Sequence, residues 1–332
     1  MTNQPRIDAI ETGTTRVGIL FNPLSGQVRK RSNNIRHAIS KIPHAIVHEA
    51  TNSAEFKLSI DALLQAGIDL LIIVGGDGTI HAILDLLFTL RPPAKWPILA
   101  IVAGGTTNMT SLDLGVRGKP EHAIKQLSNY LAQPQSFAPS LINRPVLCIE
   151  QSDVHKTYGL FFGAGLIARG VKFSRSEVKQ WGITGGIFTL FITLRSLAGM
   201  IFRQRQSDWA PVELGIIEPN GTIRKEIYLF ALVSALNSLL LGIRPYWGKE
   251  SEPLHVTMVN QKRKHFWRSL WPLVSGRGQT LKEQDGYHSH NVNTIEFIID
   301  DEYIIDGELY RATSQNGPLR ISATDPITFL VI

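Results

Sequence analysis

After Asp69 the chain runs Leu70-Leu71-Ile72-Ile73-Val74 and then stops at Gly75-Gly76-Asp77-Gly78-Thr79. A short, unbroken apolar run rich in β-branched residues predicts a strand buried on both faces. Beyond the glycines, Ile80, Ile83, Leu84, Leu86, Leu87 and Leu90 recur every three or four residues, which predicts a helix. A strand feeding a helix through a glycine turn exposes backbone N–H groups at the helix start, where anions bind. Thr79 is placed to cap that helix. The glycines allow a ligand to approach the backbone closely, and Asp77 adds a carboxylate that suits a metal, a ribose or a hydroxyl better than bare phosphate. Few chains can satisfy this stretch without a buried parallel sheet.

The segments around it repeat the pattern. Arg16–Phe21 reads as a first strand ending in Asn22-Pro23-Leu24-Ser25-Gly26, a turn whose residues fix or free φ and bond nearby backbone. Arg29, Lys30 and Arg31 follow, either as a solvated face or as part of a phosphate-side loop. Ser32 opens a helix with Ile35, Ala38, Ile39 and Ile42 on one side. Ala45–Ala50 reads as a second strand, and Thr51-Asn52-Ser53 begins a helix that stops at Gly67. Pro97–Val102 gives a further strand ending in Ala103-Gly104-Gly105-Thr106-Thr107-Asn108. Alternating strands and helices predict a parallel sheet with helices on both faces. Ligands of such sheets bind outside the carboxyl ends of the strands, where the loops at 22–26, 75–79 and 103–108 would converge.

From about Asn143 the texture changes to short strands separated by turn residues: 146–150, 157–162, 212–217, 227–233, 254–259, 294–299, 319–323 and 327–332. This predicts a mostly antiparallel second domain, a β-sandwich or open barrel. The organisation read from sequence is a loose tail at 1–14, an α/β domain at 15–142 and a β domain at 143–332. A length of 332 residues suits two domains, and 43% hydrophobic residues supply the cores. A single cysteine, Cys148, excludes an internal disulfide and fits a reducing cytoplasm. Met1–Thr15 is polar, unlike a secretory signal. The net charge of +6 matters through its location. Lys262–Trp271 interleaves cations with aromatic rings, as a solvated loop or as a patch facing anionic lipid head groups. No nucleic-acid module accompanies it, so no nucleic-acid partner is expected. Ile183–Phe202 is strongly apolar but broken by Arg195 and by glycines, which suits a buried or interfacial helix better than a membrane span.

Other motifs carry less. There is no phosphate-binding Gly-x-x-x-x-Gly-Lys-Ser/Thr loop. Gly163-Ala164-Gly165 follows a strand, but no acidic residue closes a second strand about twenty residues on. His288-Ser289-His290 lacks a third ligand and reads as a loop. Cys148 reads as core. Asp306-Gly307-Glu308, between Tyr303-Ile304-Ile305 and Leu309-Tyr310, is a hairpin signal, and such a turn can also carry a working carboxylate.

Taken together, Asn22-Pro23-x-Ser25-Gly26, Gly75–Thr79, Gly105-Thr106-x-Asn108, Gly163-x-Gly165 and Asp306-Gly307-Glu308 resemble, in order, the diacylglycerol kinase catalytic-domain family, which includes sphingosine kinases. The resemblance implies a nucleotide-binding α/β domain, a β-sandwich domain and a lipid site in the cleft between them. It implies an ATP-dependent lipid kinase acting on a diacylglycerol-like or sphingoid hydroxyl, with ATP and Mg²⁺ as cofactors. Asn22, Ser25, Thr51, Gly75, Gly76, Asp77, Gly78, Thr79 and Thr106 would hold the nucleotide. Asp306 would be the proton acceptor, with Asp77 and Glu308 assisting. The expected setting is the cytoplasm, peripheral at the inner membrane face, with a lipid substrate, transient contact with an anionic membrane surface and a homodimer left open.

The sequence departs from the family's habits in places. His81-Ala82 stands where Asn-Glu is common, Met109 follows Asn108 where Asp is usual, and Leu166-Ile167 follow the Gly-x-Gly pair. Glu250-Ser251-Glu252 occupies the region where some members bind a structural magnesium. Two other readings stay open: an NAD kinase-like enzyme, which shares the glycine motif but not Asn-Pro-x-Ser-Gly, and a non-catalytic nucleotide- or lipid-binding member of the family.

Overall fold

The computed structural model describes residues 3–90, 96–152, 156–181, 211–218 and 221–332, without the side chains of 174–181. The apolar stretch at 183–202 and most of the turn at 219–221 lie outside them. The chain divides into two compact units, one of residues 1–144 and 325–332 and the other of 145–324.

In the first unit, strands β1 (Val17–Phe21), β3 (Leu70–Gly75) and β4 (Ile98–Ala103) are buried along their whole lengths. β2 (Ile46–Glu49) lies at the sheet edge and is more exposed. The sheet order is β2-β1-β3-β4-β17-β5, where β5 is Ser140–Arg144 and β17 is Ile327–Val331. β1 to β4 run parallel, β17 is parallel to β4, and β5 is antiparallel to β17. The helices between them are α2 (Gly26–Arg29), α3 (Ser32–Ile39), α4 (Ser53–Gln65), α5 (Asp77–Leu90), α6 (Met109–Asp113) and α7 (Pro120–Ala132). Val17, Ile19, Phe21, Leu70, Ile72 and Val74 alternate onto one sheet face, where they meet Ile35 and Ile39 of α3 and Ile124 and Leu127 of α7. Burial of this face drives the fold.

Two features differ from the sequence expectation. The expected loose tail at 1–14 is ordered where it is described, because Gln4–Glu11 form helix α1 and bury Ile10 in the same core, with Ile7 against it. Two isoleucines three residues apart suffice to dock one short helix among otherwise polar residues. The final strand, β17, joins the first sheet rather than the β domain. Its apolar run fits any buried strand, and only tertiary pairing chooses the sheet.

The second unit is antiparallel throughout its described strands. From Leu147 to Arg311 they include β6 (Leu147–Gln151), β7 (Thr157–Gly159), β8 (Phe161–Gly165), β9 (Val212–Ile217), β10 (Ile223–Ser234), β11 (Leu254–Asn260), β12 (Tyr287–Val292), β13 (Thr294–Ile298), β14 (Glu302–Ile305) and β15 (Glu308–Arg311). β16 (Leu319–Ala323) joins β13 to β6. β10 organises the unit. Residues 223–228 pair with β9, while the later residues pair with β8 on one side and β11 on the other. The register shifts between Tyr228 and Phe230. A long strand that changes partners at an irregularity lets one sheet fold over itself as a sandwich. Phe162 of β8 stacks on Phe297 of β13, 5.9 Å between ring centroids, and tilts against Tyr303 of β14. Helix α8 (Leu166–Trp181) follows β8, and helix α9 (Phe266–Val274) follows β11.

The segment 288–290 is strand β12, not a loop, and His288 and Ser289 are buried. Its polar residues hide the strand from pattern reading, and pairing with β11 imposes it. Cys148 is buried in β6, and burial raises its thiol pKa.

Candidate active site

Three loops leave the carboxyl ends of β1, β3 and β4, and side chains from each reach another. Asn22 donates Nδ2–H to Thr79 Oγ1 at 2.8 Å, and its Oδ1 accepts the Leu24 N–H at 3.0 Å. Ser25 Oγ lies 3.4 Å from Thr79 Oγ1 and accepts the Gly76 N–H at 3.3 Å. Thr79 therefore does not cap α5. The helix begins two residues earlier, at Asp77, and the Thr79 hydroxyl faces the neighbouring loop.

The glycines are set by close packing. A Cβ on Gly76 would lie 2.8 Å from Gly105 Cα, and one on Gly26 would run into Thr106 Oγ1. Gly78 is different: it is exposed, and a Cβ there meets nothing within 4 Å. Gly75 carries the backbone brace, accepting the Gly104 N–H at 2.8 Å.

Asp77 is the only acidic residue in the three loops. Its Oδ2 accepts the Thr107 hydroxyl at 2.6 Å and the Met109 N–H at 3.1 Å, and its Oδ1 accepts the Thr110 N–H at 3.1 Å. Those N–H groups belong to the first turn of α6, so the carboxylate satisfies donors that a helix start leaves open. Asn108, left-handed at φ +51°, closes the same loop by accepting the Gly105 N–H at 2.7 Å. Sequence reading missed Thr107 and the first turn of α6 as partners of Asp77. The signal was faint: a carboxylate in one loop and a short helix opening in the next.

Thr51 sits two residues beyond β2 with its hydroxyl and N–H both donated to Glu55 Oε2, at 2.8 and 2.6 Å. Asn52 accepts the Glu55 N–H, which completes a reciprocal cap on α4. These bonds, the hydroxyl's first, hold the Glu55 carboxyl below its ordinary range.

The second unit holds Asp306 and Glu308. Asp306 adopts φ +48° between β14 and β15. Its carboxylate accepts the Leu160 N–H at 3.0 and 3.1 Å and the Phe161 N–H at 2.9 Å, and its own N–H donates to the Phe161 carbonyl at 2.9 Å. A Cβ on Gly159 would strike Ile305 and come within 2.7 Å of Asp306 Oδ2, so a glycine there makes room for the carboxylate. The stretch expected as one strand over 157–162 breaks into β7 and β8 at this point, because two of its N–H groups turn to Asp306. Glu308 is exposed at the start of β15.

Among the described residues no group of three His, Cys, Asp or Glu is arranged to hold a metal. Glu250, in the region where a structural magnesium was in question, instead accepts the Asn291 N–H and pairs with His290 Nδ1, both at 2.9 Å. The Asn291 donor and His290 lower its carboxyl to about 2. No described helix is long and apolar enough to cross a membrane.

A mostly parallel sheet with three interlocked loops at one edge, in a chain that also carries an antiparallel β unit, defines a two-unit α/β-plus-β protein. Residues 16–137 match the family model of the diacylglycerol kinase catalytic domain. A solved structure described as "A putative diacylglycerol kinase from Bacillus anthracis str. Sterne" superposes with a TM-score of 0.66 at 17% identity, covering 96% of this chain and 97% of the other. "The crystal structure of a diacylglycerol kinases from Bacillus anthracis str. Sterne" gives 0.61 at 16% identity, covering 96% and 97%. At such identities the likeness establishes the fold. No curated protein matches the chain. Family and fold together support a lipid kinase in general terms.

Proposed function

We propose that this protein transfers the γ-phosphate of ATP to the hydroxyl of a diacylglycerol-like or sphingoid lipid. The observation that carries the reading is the interlocking of the three loops, the first two through Asn22, Ser25, Gly76 and Thr79 and the third through Asp77 and Thr107, which leaves exposed Gly78 with open space beside it. Phosphoryl transfer asks mainly for positioning and charge neutralisation. The backbone N–H groups at the start of α5 and the hydroxyls of Ser25 and Thr106 would orient the triphosphate, and Thr51 would meet the nucleotide at the next loop. Magnesium would arrive with the triphosphate, and Asp77, the one carboxylate of the three loops, would be its partner on the protein side. It would neutralise phosphate charge. Asp77 also keeps the loop after β4 folded against its own. Asp306, oriented by two backbone N–H groups, would accept the proton of the lipid hydroxyl. Glu308, two residues on, would help to orient that hydroxyl.

The test is γ-phosphate transfer from labelled ATP to diacylglycerol, monoacylglycerol, sphingosine, ceramide and phosphatidylglycerol in mixed micelles, with Asp306→Asn beside the native chain. One labelled lipid, lost in the variant, is the expected result. ATP binding without transfer to any of them would overturn the proposal in favour of a nucleotide-binding protein. NAD phosphorylated in the absence of lipid would move it to the NAD kinase type.

A further inference from the structure

Helix α9 presents two unlike faces. Ser269 and Leu273 point inward, and Leu273 packs with Val259 and Tyr287 in a small core. Trp267 and Trp271, one turn apart, stand 54% and 68% exposed. The helix is held at both ends. Before it, the Tyr287 hydroxyl donates to the Lys264 carbonyl at 2.9 Å, and the Arg263 guanidinium lies over the Phe266 ring at 4.3 Å. After it, the Arg244 N–H donates to the Val274 carbonyl at 3.2 Å. The indoles are thus displayed on a fixed scaffold.

The surrounding charge is one-sided. From Gln261 to Lys282 the chain has six cations and no acidic residue. Lys262, Lys264 and Arg268 are exposed, and among the described residues the ion-pair partner they meet is Asp285, 4.0 Å from Lys264. Tryptophan prefers the boundary between hydrocarbon and water, and basic side chains add attraction to anionic head groups. A second copy of the chain docked about a two-fold axis would set these cations against themselves. A single nucleic-acid strand asks for a groove or sheet on which successive bases stack, and a helix stripe offers neither.

We infer that α9 docks the protein on an anionic bilayer, with Trp267 and Trp271 entering the interfacial layer while Lys262, Lys264 and Arg268 meet the head groups. The inference goes beyond the kinase reading and stands on α9 alone.

The experiment is co-sedimentation of the full chain, without ATP, with phosphatidylcholine vesicles prepared with or without phosphatidylglycerol. The native chain is expected to bind the anionic vesicles and to bind pure phosphatidylcholine far less. W267A/W271A should weaken anionic binding by about tenfold or more. K262E/K264E/R268E should abolish it, since each cation near such a surface contributes about fivefold. All five side chains are exposed, so thermal unfolding should match the native chain, and if the tryptophan pair proves necessary for folding the charge reversals carry the test. Native-like vesicle binding by either variant, or no binding by the native chain, overturns the inference. So does loss in W267A/W271A of a dimer or of oligonucleotide binding while vesicle binding persists. Because the assay reads binding without phosphate transfer, its failure leaves the kinase proposal standing, and the reverse holds.

Discussion

Asn22 donates its side-chain amide to Thr79 Oγ1 at 2.8 Å, joining the turn after β1 to the first turn of α5 across 57 residues. Thr79 is buried, so Thr79→Val would keep the shape and leave the Asn22 amide without this acceptor. An unmet donor of that kind costs about 1–3 kcal/mol. The unfolding midpoint should therefore fall by several degrees. ATP binding should weaken by about tenfold as the loops lose their tie, at 1.4 kcal/mol per decade. Thr79→Ser should restore both. Titration calorimetry and thermal unfolding of the two variants read the outcome, and equal ATP affinity in Thr79→Val would remove the tie from the binding argument.

Gly76 and Gly78 are two residues apart and should respond oppositely to one methyl group. At Gly76 the added carbon meets the Gly105 backbone at 2.8 Å, so Gly76→Ala must push two loops apart. It should destabilise by about 1–3 kcal/mol, the usual cost of overpacking. At Gly78 the carbon enters open space, so Gly78→Ala should leave thermal unfolding unchanged. If the nucleotide lies over this turn, KM for ATP should rise in Gly78→Ala with kcat little altered. An unchanged KM would place the nucleotide elsewhere.

The sequence exposed the parallel sheet because β1, β3 and β4 are buried along their lengths, and such strands write themselves as apolar runs. Asn22, Ser25, Gly76 and Thr79 were legible as a group because each sits just past a strand of that kind. Strand β12 was not legible, since His288, Ser289 and His290 carry no strand pattern and pairing with β11 alone makes them one. The partners of Asp306 were equally hidden. They are backbone N–H groups of Leu160 and Phe161, some 145 residues away, and no side-chain type announces them. β17 shows the same limit, because a strand's sequence does not name its neighbour.

Asp306 combines a left-handed backbone with a carboxylate held by two N–H groups, and the two features can be separated. Asparagine tolerates positive φ and keeps one oxygen acceptor. Asp306→Asn should fold as the native chain does and bind ATP equally, while kcat for lipid phosphorylation falls by about 10²–10⁴, the usual contribution of a positioned base. Asp306→Ala should lose the same activity and also about 1–2 kcal/mol of stability, since alanine is strained in this conformation. A kcat in Asp306→Asn within a few-fold of native would assign the carboxylate to holding the β7–β8 break alone.

His288 predicts how stability changes with pH. It is 5% exposed, and neither ring nitrogen has a hydrogen-bond partner among the described residues. Burial is the main force lowering its pKa from 6.5; Arg224 and His290 act the same way, and Glu283 and Glu226 oppose them. The unfolded chain therefore takes up this proton at a higher pH than the folded one. Stability from His288 is complete above pH 6.5 and is lost as the pH falls below it toward the folded pKa, by at most about 1.4 kcal/mol per pH unit. Glu250 titrates in another window, its contribution declining only as the pH falls from 4.5 toward 2. His288→Phe suits the site beside Tyr228, where the rings meet edge to face. It should flatten denaturant-measured stability between pH 7 and 5 and raise the unfolding midpoint at pH 7, because two unmet nitrogens disappear. A slope in His288→Phe as steep as the native one would assign the acid sensitivity to other groups.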